Sequence, residues 1–270
     1  MKKFENTLII SDVDGTLVDE TWKISKENID AARYFMENGG IFTYATGRQT
    51  PIAKEIVRQL EPNAPVICYN GAAIYDYSNQ KYLWTSELNP SVEIIIDDVL
   101  ANCDVVNIEI NTETGIYTLK DIDKTVRRYE KFLPFFTMTD SAKSVAYPWF
   151  KLVIVVNESN MPALRKYIAS KPYFKDFQFS QSAPFLYEIL NPGVNKGSAL
   201  LQLKKIIGDG YKIISLGDNE NDIDLIKAAD IGFAVATATP LLMAETKNIA
   251  AGLYDHALAD IVNKIENNLI

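Results

Sequence analysis

Cysteine and histidine are nearly missing from this chain: 270 residues hold two of the first and one of the second. Cys68 and Cys103 are in no metal-ligand spacing and are too few for a disulfide framework, which points to a reducing compartment and to packing roles for both. A single histidine, His256, argues against His-based triads and zinc hydrolase chemistry. Next to a helix start, it reads as a cap or surface group. No apolar run approaches the length of a membrane span; the one behind Lys2 and Lys3 is short and ends in acids, so neither a signal peptide nor an anchor is expected and the default location is the cytoplasm. Basic residues are also in deficit, with 27 Lys and Arg against 35 Asp and Glu and a net charge of −8. That field disfavours nucleic acid and anionic membranes as partners. An anionic small molecule would need a local positive site: a metal, a lysine or helix N-termini.

What is present is an ordinary globular composition, 47% hydrophobic and 23% charged, in a chain long enough for one large domain or two smaller ones. The first segment alternates strand-like and helix-like stretches. The run Leu8–Ile10 is followed by "ISKENIDAARYFMENGG", with Ser25 as N-cap and Ile29, Ala32 and Phe35 at helical spacing. Then come a strand in "IFTYATGR", a helix in "TPIAKEIVRQL" with Pro51 in its first turn, and a strand in "PVICYNG". This βαβαβ rhythm predicts a parallel sheet covered by helices on both faces. From about Ala72 it breaks into a hairpin turning at 78–80. Consecutive strands with interspersed helices follow, one of those helices expected around Ile122–Phe132. After "NPGVNKG" the first rhythm returns, with a helix over 196–207, strands in "YKIISLG" and "IGFAV", and a last helix from about His256. The expected organisation is an α/β core with a parallel sheet over 1–85 and 191–270, interrupted by an inserted α+β unit over 86–190.

Four polar stretches lie where strands end or helices begin in that core. In an open α/β sheet these are the positions that meet at a ligand-binding mouth. "TLIISDVDGTLVDE" puts Asp12 and Asp14 two apart at the end of the first strand, where extended-chain geometry points them the same way and calls for a positive partner. "TGR", Thr46 to Arg48, ends the second strand. Lys196 opens the helix after the insertion. "GDNEND" carries Asp218, Asn221 and Asp222 after the following strand. Each has a plainer reading on its own: an acidic turn, a strand-to-helix turn, a solvated lysine, and an N-capped helix with acids favoured by its dipole. In this order, and at these structural positions, they are far more specific together.

The four stretches resemble the signature motifs of the haloacid dehalogenase-like superfamily. With Asn70-Gly71 and the large insertion between the second and third, the chain is similar to its Cof-type phosphatases along its whole length. The resemblance implies a Rossmann-like core, an inserted cap that selects substrate, and Mg²⁺-dependent hydrolysis of phosphate monoesters of small metabolites. By match to the motifs, Asp12 is the nucleophile that forms an aspartyl phosphate, and Asp14 is the acid that protonates the leaving oxygen and then the base that activates water. Mg²⁺ would be held by Asp12, the backbone carbonyl of Asp14 and Asp218, with Asp222 supporting it. Val13 N–H, Thr46, Gly47, Lys196 and Asn221 would bind the phosphate. Arg48, Asn70 and Gly71 stand at the substrate mouth, Arg48 as a phosphate contact or a structural ion pair. Relatives often carry Gly-Asn-Ala after the fourth motif, whereas this chain reads "VATATPLL" around Ala236–Pro240, a departure that bears on the contact made by that asparagine. In the cap, the aromatics of "RRYEKFLPFF" and "AYPWF" are expected mainly in the core.

A phosphomutase or phosphotransferase would use the same aspartyl phosphate with a hydroxyl as acceptor. A phospho-accepting receiver has no use for an inserted cap, and a non-catalytic sensor none for a nucleophile. No oligomeric state is legible.

Overall fold

The computed structural model describes residues 2–119 and 135–270. The helix expected around Ile122–Phe132 lies outside the described residues. The chain divides into two compact units. One comprises Met1–Arg48, Ala53–Trp84 and Asn195–Ile270, and the other Gln49–Ile52 and Thr85–Val194.

The first unit begins with β1 (Thr7–Ser11), α1 (Lys26–Glu37), β2 (Ile41–Tyr44), most of α2 (Thr50–Val57), β3 (Val66–Cys68), β4 (Ala73–Asp76) and all but the last residue of β5 (Lys81–Thr85). The second unit holds α3 (Glu93–Asn102), β6 (Asn107–Thr112), β7 (Ile116–Thr118), β8 (Phe136–Met138), β9 (Trp149–Val155), α4 (Met161–Ala169), β10 (Gln178–Ala183) and β11 (Leu186–Leu190). The chain then returns to the first unit with α5 (Lys196–Ile207), β12 (Lys212–Gly217), α6 (Ile223–Ala228), β13 (Ile231–Val235), α7 (Pro240–Met243), β14 (Ile249–Ala250) and α8 (Ala257–Glu266).

The core of the first unit is a parallel sheet in the order β14-β13-β12-β1-β2. β1 is an interior strand, its Leu8 opposite Ile213 on one side and Ile41 on the other. Leu8, Ile9 and Ile10 are all buried because helices cover both faces, and each contributes about 2 kcal/mol of burial. On one face Leu8, Ile10 and Ile213 pack against Ala199, Leu200 and Leu203 of α5 and Leu225 of α6. Elsewhere in the unit α1 starts at Ser25, whose hydroxyl accepts from Asn28 N–H, and is tied to α8 by Asn28 Oδ1, which accepts from Ala259 N–H.

The sequence places "PVICYNG" in this parallel sheet, and the structure differs. β3 joins β4 and β5 in a separate three-stranded sheet, and meets β2 only through the bridge Ala45–Ile67. The reason is local. Thr43 Oγ1 donates to Pro65 C=O at 2.7 Å and takes up an acceptor that a ladder would use. Tyr69 and Asn70 then both turn to positive φ, so the strand ends after three residues.

The second unit is a six-stranded sheet in the order β10-β11-β9-β6-β7-β8, antiparallel except for the parallel pair β7–β8. Alternation along β6 and β9 sends Ile108, Ile110, Leu152 and Ile154 into one core with Ile95 and Val99 of α3 and Leu164 and Ile168 of α4. The opposite set is polar and also buried: Asn107, Glu109 and Asn111 on β6, Lys151 on β9 and Glu188 on β11. Lys151 Nζ lies 2.9 Å from Glu188 Oε2. Among the described residues, no helix is long and apolar enough to cross a membrane.

Trp149 is fully buried in the second unit's core, its indole N–H bonded to Val145 C=O. Trp149→Ala should therefore destabilise the protein by about 3–5 kcal/mol, read as a lower urea midpoint. An unchanged midpoint would mean that the unit does not depend on this core.

Candidate active site

β1 ends at Ser11, and its last ladder contact is carried on by Asp12 N–H to Leu216 C=O at 3.0 Å. The chain then folds into a tight turn in which Val13 C=O accepts from Leu17 and Val18 N–H. Gly15 makes the turn possible with φ +85, a region that L-residues with side chains rarely enter. A Cβ there would also stand 2.4 Å from Asp218 Oδ2. The turn buries Asp12, while the Asp14 side chain stays about half exposed, 53%.

That turn corrects one sequence expectation. Two acids at i and i+2 point the same way only on an extended chain, and the strand stops before either. Asp14 turns to a partner of its own: Arg48 donates Nε to Asp14 Oδ2 at 2.8 Å and Nη2 to Asp14 Oδ1 at 2.6 Å. Arg48 is here in an ion pair. Its backbone N–H donates to Thr46 Oγ1 at 3.1 Å.

Asp12 is joined instead by acids from the far end of the chain. Ligand oxygens of Asp12, Asp218 and Asp222 all lie within 4.8 Å of one another. Asp218 follows β12 and accepts from Thr16 Oγ1. Asp222 sits in a single turn ahead of α6 that Asn219 caps, and its Oδ2 accepts from the N–H groups of Asp218 and Asn219. Lys196 is the first residue of α5, which Asn195 caps with a reciprocal Ser198 bond. Its side chain is fully buried, and Nζ reaches Asp12 Oδ1 at 2.5 Å and Asp222 Oδ1 at 2.6 Å.

The remaining positions close around this group. Thr46 N–H donates to Ile67 C=O, and its carbonyl accepts from Asn70 N–H. Asn70 is buried in the left-handed region and accepts from Asn221 Nδ2 at 3.0 Å. A Cβ on Gly47 would lie 3.0 Å from the Asn70 amide, and one on Gly71, at φ +105, would lie 2.2 Å from Asn195 C=O. Asn70-Gly71 is thus wedged between the second, third and fourth motifs. In the divergent loop, Thr239 caps α7 and its N–H donates to Asp218 C=O at 2.8 Å. His256 takes no part; its Nδ1 meets Ser25 Oγ. Cys68 is buried, with its thiol pushed up to about 12 by burial, whereas Cys103 is only partly buried. Two residues that contact the site escaped the sequence reading. Thr16 had a signal in the "DGT" stretch; Trp22, which stacks on Arg48 at 4.1 Å, had none.

A model of the haloacid dehalogenase-like hydrolases matches residues 9–262. The chain belongs to that family. By sequence it is similar to two proteins named 5-amino-6-(5-phospho-D-ribitylamino)uracil phosphatase. YbjI of Escherichia coli is 24% identical over 262 residues, covering 96% of this chain and 95% of that protein. YitU of Bacillus subtilis is 23% identical over 233 residues, covering 84% and 86%. In fold it matches a haloacid dehalogenase-like hydrolase from Bacteroides thetaiotaomicron with a TM-score of 0.79 at 23% identity, over 97% of this chain and all of that one. It matches a subclass IIB sugar phosphatase with a TM-score of 0.80 at 18% identity, over 98% and 100%. This hydrolase is an enzyme of phosphatase type.

The three carboxylates could together hold a cation. Burial, then repulsion from Asp222, raises Asp12 to about 7 against the pull of Lys196. Burial, then Asp12 and Asp222, raises Asp218 to about 9. Burial works against the Lys196 charge, but Asp12 and Asp222 outweigh it and push its pKa up. One ammonium does not balance two buried carboxylates and a third, partly buried one, and oxygen donors this close suit a hard divalent ion.

Two outcomes follow for this hydrolase. Gly15→Ala should leave the fold assembled but displace the Asp218 carboxylate, lowering kcat about tenfold or more, as loss of one positioned group does; wild-type turnover would refute the close packing. Asp12 and Asp218 have raised folded-state pKa values, so the folded protein binds more protons than the unfolded chain above about pH 4. Their contribution is fully present below that value and is lost as pH rises through about 7 and about 9. Without added metal, stability should fall over that window, and less steeply in Asp218→Asn. Parallel curves would rule out the shared burial of charge.

Proposed function

We propose that this hydrolase removes the phosphoryl group from phosphate monoesters of small metabolites, sugar phosphates or phosphorylated cofactors, through a covalent aspartyl phosphate on Asp12. The reading is carried by one observation: Lys196 clamps a buried aspartate between the ends of β1 and β12, next to two further carboxylates. An isolated buried acid cluster costs stability, and a nucleophile at a cation site gives that cost a purpose.

The Asp12, Asp218 and Asp222 donor set fits Mg²⁺, which Asp12, Asp218 and the Asp14 carbonyl would hold with Asp222 in support; when bound it supplies positive charge against the phosphoryl oxygens. The side chains do the rest. An Asp12 carboxylate oxygen attacks phosphorus in line, and the bond from phosphorus to the ester oxygen breaks. Asp14 delivers a proton to that oxygen as it leaves with the bonding pair. Asp14 then takes a proton from water as the water attacks the aspartyl phosphate, and the phosphorus–Asp12 bond breaks to give inorganic phosphate. Lys196 balances charge on Asp12 throughout. Thr46, Gly47, Asn221 and the Val13 N–H supply donors to the phosphoryl oxygens.

Selection of the esterified group is assigned to the inserted unit. Its polar sheet set of Asn107, Glu109, Asn111, Lys151 and Glu188 carries donors and acceptors of the kind that read hydroxyl groups. The relatives named above for a ribityl phosphate and for sugar phosphates make phosphorylated polyols and sugars the first substrates to assay.

Asp12→Asn should keep the wild-type fold by circular dichroism and lose phosphate release by roughly 10⁴-fold or more. Retained turnover on an aryl phosphate would rule out the covalent route. Chelation should stop activity and added Mg²⁺ restore it, with phosphate appearing in the absence of any acceptor alcohol. Full activity in chelator would remove the metal from the reaction, and a requirement for an acceptor would make the enzyme a phosphotransferase.

A further inference from the structure

The half-exposed Asp14 carboxylate is met by the guanidinium of Arg48, and the ring of Trp22 lies against that guanidinium. Arg48 presents its planar fork to both Asp14 oxygens, a geometry that fixes orientation as well as distance. The centre of the guanidinium lies 4.1 Å from the Trp22 ring centroid, within the range of a cation–π contact. Trp22 is itself fixed, at φ +60, a conformation uncommon for a bulky L-residue. Hydrogen bonds on both sides of Trp22 stabilise the segment. Trp22 N–H donates to Asp19 C=O at 3.0 Å, and Asp19 Oδ1 accepts from Thr21 N–H at 2.8 Å. Gln59 Nε2 donates to Trp22 C=O at 2.8 Å, and Gln59 Oε1 accepts from Ile24 N–H at 3.1 Å. Thr21 hydroxyl and N–H also hold the Asp19 carboxyl below its ordinary pKa, which keeps the turn's anchor ionised. A surface turn of no catalytic motif is thus built to place an indole against Arg48.

We infer that Trp22 is a positioning residue for the acid–base step, holding Arg48 so that its fork aims the Asp14 carboxyl at the leaving oxygen. This rests on the assignment of Asp14 as acid and base. A proton donor matters most when the leaving oxygen is a poor leaving group, and least when departure needs no proton. The term kcat/KM reports the steps up to phosphoryl transfer to Asp12, so it isolates proton donation from the later attack of water, which all substrates share.

The experiment compares kcat/KM for an alkyl phosphate such as glycerol phosphate with that for p-nitrophenyl phosphate. In Trp22→Leu the alkyl value should fall about tenfold further than the aryl value, a fraction of the 10²–10⁴ that a general acid supplies. Trp22→Phe, which keeps a ring face, should recover most of the difference. Asp14→Asn should show the same selectivity with larger size, and adding Trp22→Leu to it should cost little more, because both act through one carboxyl. Equal losses on both esters in Trp22→Leu, or full additivity in the double variant, would overturn the positioning role. Equal losses in Asp14→Asn would instead overturn the assignment of Asp14. Should Trp22→Leu fail to fold, Trp22→Gln, suited to a half-exposed turn, is read in its place by the same criteria.

Discussion

Everything in the catalytic unit depends on the ammonium of Lys196, buried without exposure and shared between Asp12 and Asp222. Removing a charge of either sign from water is costly unless a partner meets it. Here the partners come from three places: the end of β1, the start of α5 and the turn after β12. The sheet order places β1 beside β12, and the lysine reaches Asp12 across 184 positions of sequence. Without it the acids would repel one another; without them the lysine could not remain charged in the interior.

The same arrangement divides two acids that look equivalent on paper. Asp12 lies inside, its proton affinity raised by burial and by neighbouring carboxylates. Asp14 lies outside the cluster, against Arg48. In the mechanism proposed above, Asp12 bonds to phosphorus and Asp14 exchanges protons with the leaving oxygen and with water. The tight turn at Gly15 produces the separation, because it takes the chain out of extended geometry between the two residues. Gly15 and Gly71 each let backbone approach a functional side chain or helix start where a methyl group would collide.

Much of the fold was legible. Apolar runs of three to five residues bounded by caps, Ser25 before α1 and Asn195 before α5, express short-range physics that one segment carries by itself. The α/β class with a parallel sheet followed from their alternation. The misplaced strand, β3, shows the limit. Its residues are apolar, Val66 and Ile67 β-branched, as a central strand's would be, but the backbone beyond Cys68 turns away, and pairing with β4 was decided by that turn. The site was legible as a set of side chains at strand ends. Arg48 stood open between two roles until its distance to Asp14 was known, and Thr16 and Trp22 were passed over because nothing in a tripeptide reveals which side chain will lie across from it.

The sequence by itself determined which groups are available: an aspartate pair after the first strand, a lysine at a helix start, an acidic turn near the other end, and the periodicities that make strands and helices around them. These are properties of neighbouring residues and need no knowledge of the rest of the chain. Tertiary structure alone decided the partnerships, Asp12 with Lys196 and Asp218, Asp14 with Arg48, Asn70 with Asn221, Arg48 with Trp22. The physical reason is that each forms between segments distant in sequence, where strand order and the directions of turns, rather than local propensity, set which charges meet.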